Sequence, residues 1–570
     1  MFDVIIKGGQ LVDGTGGQRR AADVGVIGGR IVEMGKLEGT ARRTIDADGR
    51  IVAPGFIDVH THLDVQGFWD PTLSPSPLHG VTTVLGGNCG FTVAPLTDDA
   101  AGYLMRMLAR VEAMPLTSLE KGVPWDWHTT QEYLDRLDGT LSVNAGFMVG
   151  HSAIRRVVMG EAATERHASP EELPQMKALL REGLAAGGLG FSSTLAATHN
   201  DAEGRPVPSR HADAAEFIGL AAVCREFEGT SLEFLPIATG PFTDELSDLM
   251  IAMSAAAERP LNWNIIAVSA GSLPFWQKKL DVGTRARPEG AKVVGLVITS
   301  SPQARMNFRS GFLLDQLPGW IGPMTRPPAE KLRLLRDPAE RHRLGQLAAE
   351  DSPMRHLADW ATKVIVETFT PETKAYEGRT VGDIAREEGR DPFDVLCDIA
   401  CADDLFTTFV NGRPPDTEED WQARAQVWQD ERAVIGASDA GAHLDMLSTF
   451  NYTSVLLEEG VRNHQLLSLE AAIRLITDVP ARLYGLRDRG RLAEGAAADV
   501  VILDEDTVAS APVHTRTDLP GGAARLYAGA IGIDHVLVNG VEIVGGGSLT
   551  DARPGTLLRS GRDTYTPALN

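Results

Sequence analysis

Eight short apolar runs, each followed by a longer stretch with helical periodicity, constrain this chain more than any other feature. The runs fall at 55–59, 82–86, 145–149, 188–192, 230–234, 261–268, 293–299 and 433–438. A strand written almost wholly in apolar residues is buried on both faces, a condition met when parallel strands are joined by helical crossovers. The alternation predicts an α/β chain with a (β/α)8 TIM-like barrel over 55–484, whose chemistry sits just after each run. One connection is enlarged. Residues 301–428, rich in Arg, Glu, Asp and Trp, read as a helical insertion serving as a cap or an oligomer contact.

The two ends have a different texture. Residues 1–54 alternate apolar and polar positions in short runs broken by glycine pairs, and 485–570 returns to that pattern. Val4 to Val12 and Val536 to Val544 read alike, so both ends are expected to form similar hairpins in one small β-sandwich domain. At 570 residues and 43% hydrophobic content the chain is long enough for both units. The net charge of −23 excludes a phosphate-backbone partner, which clustered Lys and Arg would hold. The first residues lack the basic start and long apolar stretch of a secretory signal, and no apolar run reaches membrane-spanning length. The expectation is a cytoplasmic protein without nucleic-acid or membrane partners, acting on a small molecule and compatible with a homo-oligomer. Four cysteines do not make a disulfide framework, and Cys397 and Cys401, one helical turn apart, read as core.

The segment Pro54-Gly55-Phe56-Ile57-Asp58-Val59-His60-Thr61-His62 ends an apolar strand with two histidines two residues apart. Both imidazoles leave the same side of the strand, so one metal ion can be held by both. Cys89 follows the second run in an Asn-Cys-Gly turn, which by itself more often holds a buried thiol than a ligand. Asp439 follows the eighth run, where a turn or helix-cap role is the plain alternative. Glu233 is an isolated charge within the fifth run and needs a partner.

With these residues in place, the sequence resembles the metal-dependent amidohydrolase superfamily, and within it a divergent member of the D-aminoacylase, or N-acyl-D-amino-acid deacylase, branch. The likeness is carried by the His60-Thr61-His62 segment, Gly86-Gly87-Asn88-Cys89-Gly90-Phe91, Gly150-His151-Ser152, Ser438-Asp439-Ala440-Gly441-Ala442-His443 and the closing Gly490 to Ile502. It implies a hydrolase of non-peptide carbon–nitrogen bonds whose metal is bound by His60, His62, the Cys89 thiolate and Asp439, with Asp439 also shuttling the proton. The branch places metal-binding histidines on the fifth and sixth strands, where this chain has Glu233 and Asn264. Glu233 is accordingly expected as a carboxylate ligand or bridge, and Asn264 as a substrate contact. His151, Arg155 and His443 complete the expected substrate-binding set. The fourth run lacks the lysine that bridges two metals in other branches. A mixed His, Cys and carboxylate donor set suits zinc first, with manganese or iron as alternatives. The implied substrate is an N-acyl-D-amino acid. The competing readings are hydrolysis of another linear or cyclic amide or an ester, and a non-catalytic binding protein on the same fold.

Overall fold

In the computed structural model, which describes residues 1–237, 240–301 and 303–569, eight parallel strands follow one another in sequence order. They are β1 (Phe56–Asp58), β2 (Val81–Gly86), β3 (Asn144–Phe147, resuming as Val149–Gly150), β4 (Gly190–Thr194), β5 (Ser231–Leu235), β6 (Leu261–Ile266), β7 (Val293–Val297) and β8 (Ala433–Ile435). The first half of β3 pairs with β2 and the second half with β4, so the strand hands the ladder on at Met148. At the other ends of the series, β1 and β8 meet just past their carboxyl ends. There Asp439 N donates to His60 O at 3.1 Å and His62 N to Ala440 O at 2.7 Å.

Nearly every strand position is buried, and successive side chains take opposite sides. Ile57, Leu85, Met148, Leu296 and Val434, from β1, β2, β3, β7 and β8, join one apolar cluster over Tyr484. On β6, Asn262 and Asn264 face inward while Trp263 turns out toward the helices. The outer cluster is larger, because every crossover helix lays an apolar stripe on the strands.

Both ends of the chain contribute to a seven-stranded sheet. It joins Val500–Leu503, Ile533–Val538, Val541–Gly545 and Ser548–Leu549 to Ile51–Pro54, Gln10–Leu11 and Arg20–Ala21. A four-stranded sheet built from Phe2–Lys7, Asp23–Ile27, Arg30–Gly35 and Ala41–Asp46 packs on it through Val4, Ile6, Val24, Val26, Val500 and Leu537.

The expectation of matching terminal hairpins is corrected: Val536 to Val544 is one, but Phe2–Lys7 and Gln10–Leu11 lie in different sheets. The chain changes sheet at Gly8, whose φ of +77° favours glycine and whose N–H is taken by Asp23 Oδ1 at 2.9 Å.

The expected extent of the C-terminal contribution also shrinks. The hairpin His514–Leu519 with Ala523–Tyr527 packs instead on the loop after β8, where Leu526 N donates to Leu444 O at 2.6 Å. Residues near 556–558 run beside β3, with Ala145 N bonded to Thr556 O and Leu558 N to Ala145 O.

The enlarged connection has its own core, from Met306 and Phe308 through Trp320, Leu396 and Cys397 to Phe409. Helix Glu418–Trp428 returns to the main core, since Trp421, Ala425 and Trp428 share one face. The insertion's own core thus stops well short of 428. No helix among the described residues is long and apolar enough to cross a membrane.

Candidate metal centre

Backbone pairing aims the side chains that converge beyond β1. Thr61 N donates to Leu85 O and His62 N to Ala440 O, which clamps this segment between β2 and the loop after β8. His60 and His62 then project side by side, 1% and 3% exposed. Cys89 reaches them from a tight turn held at four points. Asn88 Nδ2 donates to Thr61 O (3.0 Å) and Leu85 O (2.9 Å), Gly87 N to Asp64 Oδ2 (3.1 Å), Gly90 N to Ser192 Oγ (3.1 Å), and Cys89 N to Glu233 Oε2 (2.7 Å). Cys89 and Asp439 both adopt left-handed φ, +56° and +57°, although neither is glycine. Such strain persists where the surroundings over-determine it, as at sites that must present one atom in one direction.

His60 Nε2 lies 3.7 Å from Cys89 Sγ and 3.4 Å from Asp439 Oδ1, and His62 Nε2 lies 3.2 Å from the same oxygen. Single ligand atoms of His60, His62 and Cys89 all fall within 4.8 Å of one another. Donors at about 2.0–2.3 Å from a shared tetrahedral ion stand roughly 3.3–3.8 Å apart, and the 3.2, 3.4 and 3.7 Å separations round His60 and His62 are close to that spacing. The opposite ring nitrogens support the same fit. His60 Nδ1 and His62 Nδ1 are buried without a hydrogen bond, 3.8 Å from Glu233 Oε1 and 3.5 Å from Glu112 Oε1. A histidine that gives Nε2 to a metal carries its proton on Nδ1 and turns it to a carboxylate.

The electrostatics also favour a cation. Burial pushes Asp58 up to about 7, Asp64 to about 6, Glu112 to about 7 and Glu233 to about 8. Burial likewise pushes the Cys89 thiol well above its ordinary value, with Glu233 adding to it. The same burial opposes a charge on His62, but Glu112 and Asp439 outweigh it and raise that imidazole to about 10. Asp439 would be raised by burial alone; bonds to His60 and His62 hold it well below the carboxylate range. These carboxyls have only imidazoles to stabilise their charged forms, and a divalent ion would favour their ionisation.

The residues expected at the site are placed in different ways. His60, His62, Cys89 and Asp439 are brought together. Glu233 stands behind His60, on the Nδ1 side, rather than among the converging donors. Asn264 has the reverse placement, its amide nitrogen 3.2 Å from His60 Nε2 and 3.7 Å from Cys89 Sγ, on the Nε2 side of His60. His151 and Arg155 are fully buried and committed elsewhere. His151 Nε2 meets Glu216 Oε1 at 2.7 Å, Arg155 Nη1 meets both oxygens of Glu216 at 2.5 and 2.6 Å, and His151 Nδ1 meets Ser193 Oγ at 2.8 Å. Their expected substrate contacts are corrected to a closed ion-pair cluster: a buried guanidinium is stable only with its charge answered. His443 does sit at the mouth, its N–H on Glu112 O at 2.5 Å and its ring 5.2 Å from Phe312 of the insertion.

Glu112, just past the helix α1 (Asp98–Val111), escapes sequence reasoning. An acid ending an amphipathic helix is ordinarily solvated, and only the 3% exposure of this one sets it apart. His199, in the loop after β4, lies against Phe91 with ring centroids 4.9 Å apart.

The model of the amidohydrolase family matches residues 43–544. An N-acyl-D-glutamate deacylase of Alcaligenes xylosoxydans xylosoxydans is 29% identical over 98% of this chain and 96% of its own length. A D-aminoacylase of the same organism is 27% identical over 98% and 97%. Among solved structures, the N-acyl-D-glutamate deacylase of Bordetella bronchiseptica, complexed with zinc and a phosphonate inhibitor, is 26% identical. It aligns with a TM-score of 0.65 over 98% of this chain and all of its own.

Proposed function

The chain belongs to the amidohydrolase family and is a hydrolase of non-peptide carbon–nitrogen bonds; from that premise we propose that it deacylates N-acyl amino acids, of D configuration, at a single divalent metal, zinc first. We further assign the eight strands to one closed (β/α)8 barrel, with the sandwich of both chain ends as a second domain. The observation that supports the reading is the convergence of His60, His62 and Cys89, with Asp439 Oδ1 beside both imidazoles, beyond the carboxyl ends of β1, β2 and β8. D configuration is supported by the names of the relatives.

His60 Nε2, His62 Nε2, Cys89 Sγ and Asp439 Oδ1 would hold the metal, with Asn264 beside them. A bound divalent cation supplies Lewis acidity toward the acyl oxygen and an acidified water. Asp439 Oδ2 has no protein partner among the described residues, and the side chain is 24% exposed, so it can take a proton from the attacking water. The same oxygen returns that proton to the departing amine, which must leave protonated. Glu233 and Glu112, 3.8 and 3.5 Å from Nδ1 of His60 and His62, would take the Nδ1 protons with the metal bound and so fix both rings.

The test is Asp439→Asn in metal-loaded protein, assayed on matched N-acyl-D-amino acids, N-acyl-L-amino acids and cyclic amides. We expect turnover to fall by roughly 10²–10⁴-fold with the fold retained. Full activity in the variant, or a parent enzyme that cleaves only the cyclic amides, overturns the reading.

A further inference from the structure

The donors described so far account for the scissile amide and leave the other end of the substrate, a carboxylate, without a partner. The surroundings do not favour it, since Asp439 and the buried acids Glu112, Glu233 and Asp64 surround the centre and the whole chain carries −23. An anionic substrate needs a fixed cation at the mouth. Most arginines nearby are committed: Arg110 to Asp315, Arg155 to Glu216, Arg205 to Asp201 and Arg525 to Asp518.

Arg210 differs from these. It lies in the short turn Pro208–His211, in the loop that joins β4 to the helix Ala214–Ala221. Its Nη1 is held at 3.0 Å from His199 O, 2.8 Å from Asn200 Oδ1 and 3.3 Å from Ala197 O. All three acceptors are neutral and all are on one nitrogen. Nε and Nη2 have no acceptor, and the guanidinium no carboxylate, among the described residues. The anchor also places it. His199 is fastened through Nδ1 to Thr194 Oγ1 (3.0 Å) at the carboxyl end of β4, and its ring lies against Phe91, two residues beyond Cys89. Arg210 and His199 therefore form one unit on the rim beside the Cys89 turn.

Resting on the deacylase reading, we propose that Arg210 binds the α-carboxylate of the substrate through its free Nε and Nη2 edge. A guanidinium presents two parallel N–H groups that match the two oxygens of one carboxylate. One free edge serves one carboxylate. Phe91 is buried beneath this unit, and His199, His443 and Phe312 near it are aromatic or imidazole. The preferred substrates are thus N-acyl amino acids with neutral side chains, in contrast to the acidic residue in the names of the glutamate and aspartate deacylases.

The experiment compares the parent, Arg210→Met and Arg210→Lys, each zinc-loaded, on N-acetyl-D-leucine, N-acetyl-D-glutamate and N-acetyl-D-leucinamide. Charge-assisted hydrogen bonds of this kind correspond to roughly 10- to 100-fold in binding. We expect the ratio of kcat/KM for the acid over the amide to fall by that factor in Arg210→Met, mainly through KM, with Arg210→Lys recovering part of it. The parent should prefer the leucine over the glutamate derivative. An unchanged acid-to-amide ratio in Arg210→Met overturns the proposal. Calorimetric binding of N-acetyl-D-leucine to the same proteins separates the two layers. Binding that is lost in Arg210→Met, without turnover in the parent, supports Arg210 and defeats the deacylase reading. Turnover with the ratio unchanged does the reverse.

Discussion

Replacing Glu112 by alanine tests whether this acid, some fifty residues along the chain from His62, belongs to the metal centre. Glu112 Oε1 is 3.5 Å from His62 Nδ1, both residues are 3% exposed, and Nδ1 has no other acceptor among the described residues. With Nε2 given to the metal, Nδ1 must keep its proton, and Glu112→Ala strands that N–H in a dry site. An unanswered buried donor costs about 1–3 kcal/mol. The cost falls on the metal-loaded state, because with the Glu112 charge gone the unloaded imidazole of the variant can drop the Nδ1 proton and keep Nε2–H on Asp439. That converts to a metal affinity lower by roughly 10- to 100-fold. Glu112→Gln keeps an acceptor without the charge and should lose about half as much free energy, since neutral hydrogen bonds are about half as strong as charge-assisted ones. The backbone contact of Glu112 O with His443 N survives both changes. The assay is competition for zinc with a fluorescent chelator at neutral pH, with circular dichroism to check the fold. An Ala variant that holds zinc as the parent does, while His62→Ala loses it, refutes the argument that Glu112 orients the ring.

Two further predictions concern charges buried away from the centre. Burial opposes the charge on Glu216, but His151 and Arg155 prevail and hold it at about 2, below its unfolded value of 4.5. A depressed acid stabilises the fold above its unfolded pKa and loses that contribution as pH falls through the folded one. The parent's advantage over Glu216→Gln should therefore shrink by about 2–3 kcal/mol between pH 4.5 and 2 in urea titrations, and a constant difference across that window refutes it. Lys279, 3% exposed, has no acid or hydrogen-bond partner among the described residues. Its ammonium is boxed by Phe242, Trp276, Phe275 and Trp263 at 4.5, 4.9, 5.1 and 5.8 Å. Burial lowers it to about 8, so the penalty of charging it is full below that pH and vanishes as pH rises past 10.5. The rings offset part of that penalty, and Lys279→Met should stabilise the fold by about 1–2 kcal/mol at neutral pH but not at high pH. Destabilisation by this variant at neutral pH would mean that attraction to the rings outweighs desolvation.

The sequence by itself determined the strand series and the strand ends at which His60, His62, Cys89 and Asp439 stand, because strand alternation is a local rule. Two histidines two residues apart leave one side of β1 wherever that strand is put, and an apolar run fixes where Cys89 and Asp439 emerge. It could not determine what stands behind them. Glu233 reads as a ligand from its place in β5, yet rotation of the strand and the 2.7 Å bond from Cys89 N turn its carboxylate to the back of His60. His151 and Arg155 read as substrate contacts because Glu216, on a later helix, is invisible until helix packing closes the cluster. Glu112 and Arg210 show the same limit from opposite sides. In sequence, an acid ending a helix and an arginine in a loop both look like solvated surface, and only tertiary packing decides that one is sealed against His62 and the other anchored through one nitrogen on His199 and Asn200.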